Sequence, residues 1–590
     1  MIKKGLVICF VSLLTACTIT PKPLTVTERY TEATNDLNKL FSQQEMLVSN
    51  LDFEQALARG LKYNLDYRIK LVNNALQAGQ LNIAMFTMFP ALNVSSSVYS
   101  RNNQYSSSSV TNTGVVSDIS SSTPNTVRSD RIGLSWNILD FGLGYMRAKQ
   151  QGERIYIAEE ESRKQLEQLS QEILIAYWDA YSAQELMIEA NQFEKILYQA
   201  KSKLSIAMQD KTIPKESILN YQAALLEGNR RIIQLKYKYD KAMLDLKHLI
   251  SLAPDHEFKL APPPIALRKA HDLHDLDFKK LDAITLADRP ELRGQNYQQR
   301  IAELGVKVAI LQALPGISLN GGWNYNSNTY LLNNKWVDRE LDVAWNLLNL
   351  ASLPTAYNAA KTQIEYEKLK LMALTLTVLT ETRYAFSHYE TLRIEYEIAH
   401  KQTENAHALF ELAQNRKLAS LASDQQVIIA KLRTLTAKMD EDLLLADMST
   451  ALGELYISAG SDLLPADIAN KPLQEVAQII SRNFVQQNTW DFKKYVDLTY
   501  QKMFAENPTY TLQLLGSYDS EKVKTVQKQL STTEMTHYAI TKNNGRDWYV
   551  LTYGKYATAA EAKLTLANLP KQLNTFTPWA RKTEGLTWTG

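Results

Sequence analysis

Two long stretches of this 590-residue chain, Glu153 to Ile213 and Thr355 to Leu452, contain neither glycine nor proline. Those residues are the main helix breakers, and both are otherwise scattered through the chain. Cysteine is almost missing as well, with only Cys9 and Cys17 present. Both lie at the extreme N-terminus, so no disulfide is expected in the body, which must be held by packing and oligomerisation. No run of about eighteen apolar residues occurs, which excludes a membrane-spanning helix and leaves strands as the only route through a bilayer. Neither sign of charge dominates: the formal net charge is +2. No basic stripe is interleaved with aromatics, so a nucleic-acid partner is not expected.

What is present begins with a leader. Lys3 and Lys4 precede an apolar run from Gly5 to Leu14, and Leu14-Thr15-Ala16-Cys17 follows. A run of about ten residues is too short to span a bilayer but has the order of a secretory signal. The stretch resembles the lipobox of bacterial lipoproteins, which implies cleavage after residue 16 and a covalent lipid on Cys17, with no other cofactor expected. Thr18 is not the Asp that retains such lipoproteins at the inner membrane, so the resemblance implies the outer membrane.

The stretches without breakers are rich in Ala, Leu, Glu, Lys and Gln, all strong helix formers. Apolar residues recur at spacings of three and four: Leu166, Leu169, Ile173, Ala176, Ala180, Ala183, Met187, and again Ile232, Leu235, Tyr239, Ala242, Leu246, Leu249. That is a coiled-coil seam. A helix from about Leu143 to Gln209 would be roughly 100 Å long, a length suited to crossing a periplasm. Asp210 to Pro214 marks its turn, with Pro214 placed to start the returning helix. A second rod turns near Asn415 to Ser423 and returns to about Leu452.

The plan is read twice. A helix from about Asp52 to Met88 stops at Pro90, a strand spans Ala91 to Tyr99, a loop runs from Arg101 to Arg128, and a strand from Arg131 to Ile138 leads into the first rod. The second pass has a helix from Leu281 to Leu314, Pro315, strands Gly316 to Tyr325 and Trp336 to Asn346, then the second rod. Strands of nine to eleven residues suit a tilted crossing of the hydrocarbon layer. Ile132, Leu134, Trp136, Ile138 and Leu341, Val343, Trp345, Leu347 alternate onto one face. Trp136, Trp323, Trp336, Trp345, Tyr99 and Tyr325 are candidates for aromatic girdles or sheet core. Four strands cannot close a barrel, and an open edge in lipid leaves backbone groups unsatisfied; copies of the chain are therefore required.

Over about Leu51 to Gly460 the plan resembles the TolC-type outer-membrane efflux proteins. The residues that carry the likeness are Leu51-Asp-Phe-Glu-Gln-Ala-Leu57 with Asn64, Phe89-Pro90-Ala-Leu92, and Gly133-Leu-Ser-Trp-Asn-Ile-Leu-Asp-Phe-Gly142. Asp288-Arg-Pro-Glu-Leu-Arg293 and Leu314-Pro-Gly-Ile-Ser-Leu319 extend it, while Trp345-Asn-Leu-Leu-Asn-Leu-Ala351 lacks the family's usual glycines. The resemblance implies a mainly α fold: a coiled-coil helical tunnel plus four strands per chain, with a homotrimer closing a membrane β-barrel of twelve. It also implies partners, namely an inner-membrane transporter of ABC or RND type and its periplasmic adaptor. A gate would lie at the hairpin tips, among Asp210, Lys211, Lys215, Glu216, Arg416, Lys417 and Asp424. The alternative is that those charges are simply solvated turn residues.

From Leu463 the chain changes to a linker with some helical character, expected over 463–507, and then to a β-α-β-β-α-β pattern within 508–584. This split-βαβ, ferredoxin-like module resembles the SPOR domain. The carriers are Tyr510-Thr-Leu-Gln-Leu514, Gly516, Gly545-Arg-Asp-Trp-Tyr-Val-Leu551, Gly554-Lys-Tyr556, Ala559-Ala-Glu-Ala562 and Pro578-Trp-Ala-Arg581. The resemblance implies binding to peptidoglycan glycan stripped of stem peptides. Sugars present C–H faces to aromatic rings and hydroxyls to amides. By motif position Gln513, Gly516, Trp548 and Trp579 are the expected contacts, with Gln513 expected to leave the core opposite Leu512 and Leu514; Trp548 and Trp579 are equally candidates for core aromatics.

The expected divisions are a leader (1–16), a lipidated segment (17–50), two repeats (51–277 and 278–462), the linker and the C-terminal module. His271 and His274 sit three apart beside Asp272 and Asp275 but lack a third fixed ligand, so they read as surface linker charge rather than metal. No catalytic constellation stands out, so no enzyme is expected. The leading expectation is a passive duct for efflux or type I secretion, anchored in outer-membrane lipid and tied to the wall. The alternatives are a coiled-coil strut between membrane and wall, and a wall-located regulator.

Overall fold

The computed structural model describes residues 22–42, 44–47, 50–208, 214–264, 270–461, 471–486, 491–506, 509–530, 536–543, 545–556, 559–567, 569, 573 and 576–589. The leader and Cys17 lie outside the described residues.

Helix α1 (Val26–Ser42) carries no buried residue. Strand β1 (Asn50–Leu51) leads into α2 (Phe53–Tyr63), started by Asp52, whose carboxylate accepts the Gln55 N–H. Helix α3 (Leu65–Phe86) follows. The single helix expected from Asp52 to Met88 is thus two. The break falls at Asn64, whose backbone leaves the helical region at ψ 125° while its side chain caps the Tyr67 N–H. An Asn favours such a cap over a helix interior.

Strand β2 (Ala91–Ser100) is followed by a region expected to be loop, which holds a small hairpin of β3 (Tyr105–Ser107) and β4 (Ser120–Thr123). Strand β5 (Thr126–Asn137) then runs directly into the first rod, α4 (Ile138–Ala207, 70 residues), and α5 (Lys215–Leu249) returns from Pro214. At about 1.5 Å per residue α4 is roughly 105 Å long. Strand β6 (Lys259–Leu260) pairs with β1 in parallel.

The second pass repeats the first. Helices α6 (Phe278–Asp288) and α7 (Pro290–Leu311) replace the one helix expected from Leu281 to Leu314. They break at Arg289, because the residue before a proline is driven to extended backbone. Strands β7 (Gly316–Asn326) and β8 (Lys335–Ala344) precede the second rod, α8 (Leu347–Leu418), and its return α9 (Asp424–Ser458). Helix lengths of 11, 22, 70 and 35 residues in the first pass meet 11, 22, 72 and 35 in the second, a correspondence that marks an internal duplication.

The expected seam is buried: Leu169, Ile173, Ala180, Ala183, Ile232, Leu235 and Leu246 all sit within the helical cores. Alanine on the seam brings backbones close, and at Gly228 a Cβ would come within 3.1–3.3 Å of Leu432 and Leu197, so glycine lets three helices meet there.

The segment expected as a linker packs instead. Helix α10 (Leu473–Gln486) lies on α2, with Val476 and Ile480 in its core, and α11 (Phe492–Glu506) lies on α6, with Phe492 and Val496 beside Tyr456. The module beyond comprises β9 (Tyr510–Ser517), α12 (Ser520–Gln529), β10 (Thr536–Asn543), β11 (Arg546–Tyr556), α13 (Ala559–Ala567), β12 (Trp579–Lys582) and β13 (Thr587–Thr589). Its antiparallel sheet has the order β12-β9-β11-β10-β13. The first four strands give the expected split-βαβ order, and β13 is an added edge strand that runs past the expected boundary at 584.

Candidate functional site

Three regions carry the candidate chemistry: the four-stranded sheet, the hairpin tip and the C-terminal sheet.

The sheet has the order β2-β5-β7-β8, antiparallel throughout. Directly opposed residues share a face, so the registers Val94↔Ile132↔Trp323↔Val337 and Leu92↔Leu134 define one apolar face. Leu319, Leu341 and Val343 lie on it too, and all these side chains are exposed. Arg339 interrupts that face beside Gly321. The other face carries Asn93, Arg131, Ser135, Asn320, Asn324, Asp338, Glu340 and Asp342. There Arg131 Nη1 donates to Asp338 Oδ2 at 2.5 Å and to Asn324 Oδ1 at 2.9 Å. Tyr99 and Trp336, expected with the girdle aromatics, belong to this polar face by register, opposite Val127 and Asn324. Strands β2 and β8 each have one unpaired edge.

Each rod is joined to its strand by the same device. The Trp136 indole donates to the Met88 carbonyl at 3.2 Å, and the Trp345 indole donates to the Ala313 carbonyl at 3.0 Å. The following Asn137 and Asn346 then cap α4 and α8 through their side-chain oxygens. A capping asparagine starts a helix without glycine, which explains how the second junction dispenses with the glycines of the first.

At the tip, Asp210 and Lys211 lie outside the described residues. Lys215 and Glu216 open α5 and are exposed. The second turn sits at Ala419 to Ser423, later than expected, because α8 continues to Leu418. Ser420 takes φ +58°, its N–H donates to the Lys417 carbonyl, and the Leu421 N–H donates to the Arg416 carbonyl at 2.7 Å. This is a Schellman ending with serine where glycine is usual, followed by a Ser423–Gln426 capping box. Lys417 Nζ meets Asp424 Oδ1 at 2.6 Å, tying the end of α8 to the start of α9, while Arg416 is exposed. Both charges also complement the helix dipoles.

In the C-terminal sheet, Gln513, Gly516, Trp548 and Trp579 share the face opposite helices α12 and α13, by the registers Trp579↔Gln513, Gln513↔Thr552, Gly516↔Val550 and Thr541↔Trp548. Trp579 is 50 % exposed. Trp548 is half-buried and meets Tyr518 edge-on at 4.4 Å between centroids. A Cβ on Gly516 would lie 2.6 Å from the Trp548 indole nitrogen, so glycine at that position lets the ring lie across the strand.

Gln513 departs from expectation. It leaves the module core but is only 2 % exposed, because Arg581 Nη1 donates to its Oε1 at 2.7 Å. Arg581 Nη2 reaches Thr541 Oγ1 at 3.3 Å, and burial lowers the pKa of the guanidinium. Arg581 was not among the expected contacts, although it closes the Pro578-Trp-Ala-Arg581 string. Elsewhere the His271 backbone bonds the Tyr389 hydroxyl in both directions. Among the described residues no cluster of three His, Cys, Asp or Glu is placed to hold a metal, and no helix is long and apolar enough to cross a membrane.

Residues 506–582 match the SPOR domain model. Over 72 residues the chain is 42% identical to the cell division protein DamX of Serratia marcescens, a match covering 12% of this chain and 33% of that protein. The chain thus spans about a third of the length of that relative. Among solved structures, the Campylobacter jejuni CmeC outer membrane channel superposes with a TM-score of 0.55 at 16% identity, covering 79% of this chain and 97% of the channel. The open-state MtrE outer membrane channel of Neisseria gonorrhoeae gives 0.56 at 16% identity, covering 69% and 89%. The outer-membrane channel OprN gives 0.56 at 18% identity, covering 69% and 90%. The chain therefore joins a body with the fold of the TolC-type outer-membrane channels to a C-terminal SPOR domain.

Proposed function

We propose that this protein is the outer-membrane duct of an export assembly, conducting substrate passively from an inner-membrane transporter and its adaptor, and gripping peptidoglycan through its SPOR domain. The observation that carries the reading is the sheet: lipid-length strands, one apolar and one polar face, and two open edges. A polar face that carries the Arg131–Asp338 ion pair needs water, and an apolar one needs lipid. Only closure with further copies meets both requirements, because every backbone group in a bilayer must be paired.

The rods call for the same partners. Leu219, Leu226 and Ile233 recur every seven residues on α5, and Leu65, Ile69, Val72 and Leu76 follow three-four spacing on α3, all exposed in the single chain. Unpaired seams of this kind are where neighbouring helices of a bundle pack. Three copies would supply twelve strands. A lipid on Cys17 would serve sorting and assembly more than retention. A strut between membrane and wall has no use for the polar sheet face.

The test is reconstitution of the full-length protein in planar bilayers, with mass analysis of the detergent-solubilised oligomer and sedimentation with purified sacculi. Discrete conductance from a trimer that sediments with sacculi is expected. A monomer without conductance that still sediments would favour the wall-located regulator, the reading toward which the DamX likeness points.

A further inference from the structure

Among its strand residues the SPOR sheet holds a single carboxylate, that of Asp547. By register it lies on the face toward α12 and α13, where it pairs with Lys542 at 2.7 Å. The opposite face, which carries Gln513, Trp548 and Trp579, has no acid, and two arginines stand on it. Arg546 precedes Trp548 by two residues on β11 and is exposed. Arg581 follows Trp579 by two residues on β12 and is half-buried.

Arg581 lacks a counter-ion. Its guanidinium crosses β9 and β11, donating to Gln513 Oε1 at 2.7 Å and to Thr541 Oγ1 of β10 at 3.3 Å. Both acceptors are neutral, and among the described residues Arg581 pairs with no carboxylate. Burial lowers its pKa, and no neighbouring charge offsets the loss. A part-buried cation left uncompensated is costly, and a guanidinium with N–H groups to spare matches the two oxygens of a carboxylate. Gln513 beneath it is only 2 % exposed, too covered to hold a sugar itself, so what its amide does is hold the guanidinium.

We propose that Arg581 recognises the free lactyl carboxylate of N-acetylmuramic acid in wall glycan, with Gln513 as the positioning residue that holds its guanidinium. This rests on the reading of the SPOR domain as the grip on peptidoglycan. The sugars of that glycan are N-acetylated and neutral, so its one ionisable group is the lactyl carboxyl of each muramic acid. A stem peptide ties that carboxyl up as an amide, which keeps an acceptor oxygen but loses the charge. Arg581 therefore reads whether a peptide is attached, because a charged acceptor bonds a guanidinium more strongly than a neutral one. Trp579 beside it, 50 % exposed, offers a ring to the C–H face of the same sugar.

The test is isothermal titration calorimetry on the full chain in detergent, with tetrasaccharides of alternating N-acetylglucosamine and N-acetylmuramic acid. One probe has free lactyl carboxylates, one has methylamides in their place, and one bears stem peptides. The free acid is expected to bind about tenfold tighter than the other two, with the preference shrinking as salt is raised. Arg581→Met is expected to bring the free acid down to the methylamide while leaving methylamide affinity unchanged. Gln513→Glu, which gives the guanidinium a carboxylate of its own, is expected to do the same, and it stands in if Arg581→Met does not fold. A general loss of structure would weaken all probes alike. A wild type that binds the methylamide or the peptide-bearing probe as tightly as the free acid, or a preference that survives both variants, overturns the proposal and leaves the glycan grip intact. If none of the probes binds, sedimentation with sacculi decides: where it is retained this proposal alone falls, and where it is lost the reading of the SPOR domain falls with it.

Discussion

Single residues explain why certain short strings stand out in this chain. In Asp288-Arg-Pro-Glu-Leu-Arg293, Pro290 starts α7, Arg289 bonds Glu291 and Glu381, and Arg293 bonds Glu160 of α4. The string is a helix junction and an ionic anchor in one. Arg289 has a side chain 9% exposed and also donates to the Ser458 carbonyl at 3.4 Å. Removing one member of a buried pair strands the others, so Arg289→Met is expected to cost about 3 kcal/mol, measured as a lowered denaturation midpoint of the solubilised protein. A midpoint within error of wild type would show that the network is not stabilising. The string could be recognised from sequence, but its mechanism could not, because Glu160 and Glu381 lie far away along the chain. Gln513 teaches the same lesson in reverse. Strand alternation correctly removed it from the core, yet it is covered by Arg581, 68 residues later.

At the scale of elements, legibility followed periodicity. The rods and their seams were readable because three-four spacing over dozens of residues admits one interpretation, and the lipid-length strands because period-two alternation does too. The breaks at Asn64 and Arg289 were missed, since one capping residue inside a helical pattern is a weak signal against two flanking helix formers. Tyr99 and Trp336 were grouped with the girdle candidates by residue type, whereas register, which depends on pairing, puts them on the polar face. The amphipathic sheet makes a sharp prediction. Leu134 lies between Leu92 and Gly321 on the apolar face. Leu134→Arg is expected to cost about 2–4 kcal/mol in a bilayer, read as reduced folding into lipid vesicles. Asn93→Lys, on the opposite face, should fold at near wild-type yield. Equal losses from both would mean that the two faces do not meet different solvents.

Across the whole molecule, the tail is the surprise. The sequence between the rods and the SPOR domain reads as a linker with some helical character. Instead α10 docks on α2 and α11 on α6, the matching short helices of the two repeats, and α11 also touches β11 of the SPOR domain. Phe492→Asp, which buries a charge against Tyr456 and Tyr495, is expected to release this clasp. Spin labels on α6 and α12 should then report a broadened distance distribution, while wild type gives a narrow one; an unchanged distribution would argue that α11 is not the fastening.

The clasp turns the upper rod into a ruler. The core that receives α10 lies around Tyr177, whose hydroxyl bonds the carbonyls of Leu51 and Ala261. From Ile138, where the sheet ends, to Tyr177 a continuous helix rises by roughly 60 Å. The tail is therefore fastened at a set depth below the sheet, and under the proposed function the gap between outer membrane and wall becomes a quantity written in helical turns.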